Sequence, residues 1–173
     1  MRRRDIVVGL AASGVAAMSV GRVESDEPRP FMIEAAYYNT ERLLEEWRWL
    51  VPTTETPLLL SAMGDWVFGR PDGAIAKLDT LEGWYDTIAR NSNEFNSLKR
   101  SEKWLEKNFS SAWIVIARGN GLMPTRDQCL GWKIPPILGG EFSIANLTLF
   151  AMTVYQSLHG QLHRQIQRRT QAQ

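Results

Sequence analysis

The chain has 173 residues, long enough for one ordinary domain with its own core and short for two. Hydrophobic residues make up 44% and charged residues 23%, with a formal charge of +1, which excludes a disordered chain and a strongly basic nucleic-acid binder. A single cysteine, Cys129, excludes a disulfide scaffold and any zinc site built on several thiolates.

Residues 1–21, "MRRRDIVVGLAASGVAAMSVG", have a basic start, a modest apolar stretch and small residues after it, the layout of an export signal. Arg3 and Arg4, followed by Asp5, Ile6 and Val7, resemble a twin-arginine motif, although Arg2 stands where a serine or threonine is usual. Small residues at Val15 and Ala17, or at Ser19 and Gly21, offer cleavage sites. The apolar run is shorter than a spanning helix needs, so no stable membrane insertion is expected. The expectation is a periplasmic protein; the alternative is a cytoplasmic one whose translation starts at Met32. Losing Arg2, Arg3, Arg4 and Asp5 leaves 17 basic and 18 acidic residues, a near-neutral mature domain. Residues 22–31 read as a polar, proline-punctuated linker that buries nothing, and residues 32–170 as the domain.

In "NTERLLEEWRWLVP" the apolar residues Leu43, Leu44, Trp47, Leu50 and Val51 recur at helical spacing. Asn39 or Thr40 caps the start and Pro52 marks the end. Glu45 and Glu46 are neighbours and diverge by about 100° on a helix, so they read as a solvated face. From Pro57 two apolar segments flank "GRPDG", where Pro71 presets a turn and Gly73 takes positive φ, a β-hairpin. "WYDTIA" adds a third strand to the same antiparallel meander, with Gly64 permitting a bend or bulge beside Asp65. Asp65, Asp72, Asp79, Glu82 and Asp86 sit near these turns without calcium-loop spacing, and turn aspartates usually bond their own backbone.

Asn91 and Glu94 have capping-box spacing ahead of a short helix. Ser101 opens a longer one, with Leu105, Phe109, Ala112, Trp113 and Ile116 as its apolar stripe and "RGNG" as its stop. "QCLGW" alternates as a short strand ended by Pro135 and Pro136, and "NLTLF" reads as another strand. "VYQSLHGQLHRQIQRR" is a long helix with Tyr155, Leu158, Leu162 and Ile166 towards the core. The fold class is α+β: a single domain with an antiparallel β-meander packed against several helices and a long C-terminal helix.

Three constellations bear on chemistry. His159 and His163 stand one helical turn apart, the spacing with which two imidazoles grip zinc, but the glutamate and third ligand of a zincin are missing. Cys129 with His163 and an aspartate can form a thiol triad only if folding brings them together; a lone cysteine in an apolar segment is more often a small buried hydrophobe. Gly139 and Gly140 lack the lysine and the spacing of a phosphate loop and read as a tight turn.

The order of these pieces resembles the C-terminal domain of immunity proteins against type VI secretion DNase toxins. The resembling segments are "LLEEWRWLVPTTETPLLLSAMGDWVFGRPDGAIAKLD", with Gly64, Asp65, Asp72 and Gly73; "QCLGWKIPPILGGEFSIANL"; and "HGQLHRQI", with Gly160, Gln161 and His163. The resemblance implies an α+β module that binds a cognate toxin, a DNase or another secreted effector, and blocks it without catalysis, cofactor or direct contact with nucleic acid. Affinity would come from a few aromatic anchors ringed by polar groups. Near the turns of the meander, Trp66 and Trp84 are the candidate anchors, with Asp65, Arg70, Asp72 and Glu82 as rim charges. The alternative is an exported metal-dependent or thiol enzyme using His159, His163 and Cys129.

Overall fold

The computed structural model describes residues 31–172, so the twin-arginine-like residues Arg3 and Arg4 and the rest of the segment 1–30 lie outside the described residues. The described chain opens with β1 (Met32–Glu34), a 3-10 turn at Ala35–Tyr37 and α1 (Thr40–Leu44), which continues as a 3-10 turn over Glu45–Trp47. Asn39 starts α1 by accepting the Arg42 N–H at 3.1 Å. The helix expected up to Pro52 is shorter than its periodicity suggests. The Leu50 and Val51 N–H groups both bond the Trp47 carbonyl at 2.9 Å, which closes the chain over the buried Trp47 and Val51.

The meander has more strands than the hairpin pattern implies. β2 (Thr56–Ser61), β3 (Trp66–Gly69), β4 (Ile75–Asp79) and β5 (Trp84–Ala89) join β1 in an antiparallel sheet of order β1-β2-β3-β4-β5. The first apolar segment splits into β2 and β3, because Gly64 at φ 88° reverses the chain instead of bending it. A Cβ there would lie 2.6 Å from the Tyr155 ring, so the reversal is packed as well as turned. Phe31, read as the last linker residue, belongs to the fold: its carbonyl accepts the Ala62 N–H at 2.8 Å and its ring meets Phe109 edge to face.

Three helices follow, α2 (Ser92–Leu98), α3 (Glu102–Phe109) and α4 (Ser111–Gly119). Asn91 and Ser101 cap the first two by accepting the N–H of Glu94 and Trp104. The single helix expected from Ser101 breaks at Ser110, whose left-handed φ of 51° redirects the chain once Phe109 is buried. β6 (Gln128–Trp132) and β7 (Leu147–Ala151) pair antiparallel, and α5 (Met152–Gln171) closes the domain. The α+β class and the long C-terminal helix are as the sequence indicates.

Both faces of the sheet are covered, which is why β3 and the adjoining β4 are apolar almost throughout. Trp66, Phe68 and Leu78 pack with Trp47, Cys129, Met152 and Tyr155 on one side; Val67, Ile75 and Ala89 pack with Phe95 and Phe109 on the other. A third cluster joins Ala62 and Met63 to Ile114, Leu130, Trp132 and Leu147, and the Leu130 N–H bonds the Ala62 carbonyl at 2.8 Å. The core-facing side of α5 differs from the apolar pattern. Tyr155, Gln156, His159 and His163 are buried, whereas Leu158 is 54% exposed and Leu162 and Ile166 are half-buried.

Candidate functional site

The six residues expected at a partner surface are not brought together. Asp65 and Trp66 are buried, which removes both from any surface a partner meets. Arg70 and Asp72 lie in the β3–β4 turn at one end of the sheet, and Glu82 and Trp84 lie at the other end, beyond β4. Asp72 bonds its own turn through the Ala74 N–H at 3.0 Å, and Arg70 donates to the Thr87 hydroxyl at 3.0 Å. Trp84 is 36% exposed, with the Lys77 ammonium 5.0 Å from its ring centroid.

Lys77 is the most concentrated charge in the interior. Its ammonium is hydrogen-bonded to Asp79 at 2.7 Å and to the Asn108 carbonyl, and sits 3.3 Å from Asp65. Burial alone would lower its pKa; Asp65 and Asp79 more than reverse that, so the ammonium stays charged. Asp65 also accepts the N–H and hydroxyl of Thr80, at 2.9 and 3.0 Å. Burial nevertheless pushes its carboxyl up to about 6, against the pull of Lys77. Every member of this cluster is spent on another, so it fastens β3 to β4 and to the end of α3.

The two histidines on α5 are structural as well. His159 Nδ1–H donates to the Thr80 carbonyl and His163 Nε2–H to the Leu81 carbonyl, each at 3.0 Å, which fixes both tautomers. Burial holds His159 down at about 4 and also lowers His163, so both rings are neutral at pH 7. Gly83 is required beneath them, since a Cβ there would lie 2.2 Å from His163 Nδ1. Cys129 is fully buried opposite Phe150 of β7, while His163 is engaged at the β4–β5 turn. The thiol triad considered from the sequence is therefore not assembled. Among the described residues no group of three or more His, Cys, Asp and Glu side chains is placed to hold a metal ion, and no helix is long and apolar enough to cross a membrane.

The connection from β6 to β7, residues 133–146, gathers exposed apolar side chains. Five large apolar side chains, Ile134, Ile137, Leu138, Phe142 and Ile144, are each between 38% and 58% exposed. The frame beneath them is rigid. Asn146 accepts the Ile134 N–H at 3.0 Å and donates to the carbonyls of Ile134 and Glu141, each at 2.9 Å. Lys133 Nζ holds the Ala145 carbonyl at 2.7 Å, leaving Glu141 as the loop's other charged group. A 3-10 turn at Pro136–Leu138 ends on Gly139 at φ 89°, and a Cβ on Gly140 would lie 1.8 Å from the Ile134 carbonyl oxygen. Phe142 also meets Trp132 edge to face at 5.1 Å, and Trp132 meets Trp113 of α4 at 4.8 Å, so the loop is seated on the core. Apolar groups this exposed on a frame this constrained are the features of a preorganised protein contact. In the sequence this stretch reads only as a strand ended by Pro135 and Pro136 and a tight turn at Gly139 and Gly140; the available signal is an apolar run between breakers with neither helical nor strand period.

Residues 89–163 match the family model of the T6SS immunity protein Tdi1, C-terminal. The match spans α2 to most of α5 and includes the whole loop, whereas the six residues singled out near the meander precede it. The search of curated proteins found no match. Among solved structures, the chain is similar to the crystal structure of Atu4351 from Agrobacterium tumefaciens, with a TM-score of 0.52 and 14% identity over 76% of this chain. The likeness covers 66% of that structure's length and speaks for the fold alone.

Proposed function

We propose that this chain, which over residues 89–163 belongs to the T6SS immunity domain family, binds a cognate toxin and neutralises it by occlusion, with no catalysis of its own. One observation carries the reading: the family-matched segment contains the ordered loop 133–146, the densest group of exposed large apolar side chains on the described chain. Ile137 and Leu138 stand on a 3-10 turn between two prolines and two glycines, so little conformational entropy is lost when a partner covers them. A toxin with a complementary apolar cleft, a DNase by the resemblance of the sequence, would lose access to its substrate once that cleft is filled. Export through the segment carrying Arg3 and Arg4 would place the encounter in the periplasm, and N-terminal sequencing of the protein from fractionated cells tests that compartment.

The functional test is co-expression with the toxin encoded beside it. Wild type should rescue growth and co-purify with the toxin, and an Ile137→Asp, Leu138→Asp variant of unchanged melting temperature should do neither. Rescue by the double variant at wild-type level would sink the assignment of the loop, and failure of wild type to bind any neighbouring toxin would sink the function.

A further inference from the structure

We propose that α5 is a self-association surface, packing antiparallel on the α5 of a second copy of this chain. Val154 and Leu158 lie one turn apart on its outer side, 49% and 54% exposed. Beside them runs a groove of about 380 Å³ between α1 and α5, whose lining includes Leu43, Glu45, Glu46, Ser157 and both apolar residues.

Charge chooses the occupant. Residues 40–47 along one wall hold three glutamates, Glu41, Glu45 and Glu46, against one arginine, Arg42. Helix α5 has no acidic residue and carries Arg164, Arg168 and Arg169 in its second half, all exposed. Thr153, Ser157, Gln161, Arg164 and Arg168 recur at helical spacing, so they share one flank. That flank faces the acidic wall, because the Gln161 amide donates to Ser157 and to Glu46, each at 3.0 Å.

A two-fold axis crossing α5 near Gln161 reverses the helix direction and leaves each flank on its own side. The groove of one copy then receives the second half of the other copy's α5. Val154 and Leu158 are covered by the aliphatic stems of the partner's arginine row, and the guanidinium groups of that row reach Glu45 and Glu46. The helix is 20 residues, about 30 Å, so both reciprocal contacts fit along it. This surface is separate from loop 133–146 and does not depend on the toxin.

Sedimentation of the full chain across a concentration series, at low and high salt, tests the proposal. We expect a dimer that weakens with salt and becomes a monomer in Leu158→Glu, with Val154→Glu as a second variant should the first lose its fold. Arg164→Glu with Arg168→Glu should raise the dissociation constant by about tenfold or more, and adding Glu45→Arg with Glu46→Arg should restore association. A monomer at every concentration, or a dimer indifferent to these changes, overturns the proposal.

Discussion

His159 and Asp65 are buried in the same polar network, joined through Thr80, and acidification acts on them in opposite directions. His159 titrates at about 4 when folded against an ordinary 6.5, so the unfolded chain takes up that proton more readily. Its contribution is complete above 6.5 and is lost as pH falls towards 4. Asp65 titrates at about 6 when folded against an ordinary 3.8, so the folded chain binds that proton more readily. Its contribution is greatest below 3.8 and declines as pH rises through 6. Each amounts to about 3 kcal/mol at full extent, and His163, also lowered, tips the balance towards loss on acidification. Urea unfolding between pH 4 and 6.5 should show wild type losing stability as pH falls. His159→Asn should reverse the sign of that slope, and an unchanged slope would contradict the network. Lys77 is tested separately: Lys77→Met leaves the buried Asp65 and the partly buried Asp79 without their cation and should cost about 3–5 kcal/mol in the same measurement at pH 7. None of these roles is legible in a sequence, because hydropathy scores His, Gln, Asp and Lys as solvent-facing and cannot show that backbone carbonyls lie within their reach.

At the scale of elements, helix α5 shows how such polar groups mislead a periodicity argument. Leu158, Leu162 and Ile166 have the spacing of a core stripe, yet the helix rotates so that Gln156 bridges Trp47 Nε1 at 3.0 Å and the Gly64 carbonyl at 2.7 Å. The histidines then reach the β4–β5 turn, and two unsatisfied carbonyls would cost more than a partly exposed leucine. Gly160 fixes the crossing with α1, since a Cβ there would lie 2.6 Å from the Glu46 Cβ and 2.8 Å from its carbonyl oxygen. Gly160→Ala gains about 1 kcal/mol of helix propensity and loses more to the displaced α1. The net expected from guanidinium unfolding is a destabilisation of about 1–2 kcal/mol, whereas a more stable variant would show that the helices separate freely. The extra reversal at Gly64 and the break at Ser110 escaped the sequence for a related reason. Each is imposed by what the chain must pack against next, Tyr155 in one case and the buried Phe109 in the other. Turns carrying their own chemistry, such as Pro71 to Gly73 with its Asp72 bond, were legible.

For the whole molecule, Trp132 is where stability and the proposed function meet. It is buried between Trp113 and Phe142, which carries the loop onto the third core cluster. Trp132→Ala should cost about 3–5 kcal/mol, read from denaturant midpoints, and should loosen the loop along with the core; a loss under about 1 kcal/mol would mean that the cluster is not cohesive. The strands flanking the loop, its prolines and its glycines could be read in advance, but its outward face could not. Strand spacing cannot say whether apolar residues between breakers turn inwards, and only the Asn146 bonds and the close approach at Gly140 show that they cannot. This outward face is the surface proposed to bind a toxin. Calorimetric titration of the neighbour-encoded toxin into wild type and into the Ile137→Asp, Leu138→Asp variant tests it most directly. A saturable complex with wild type, weakened by about 100-fold or more in a variant that melts like wild type, is the predicted result. Equal affinity for the two proteins would contradict it.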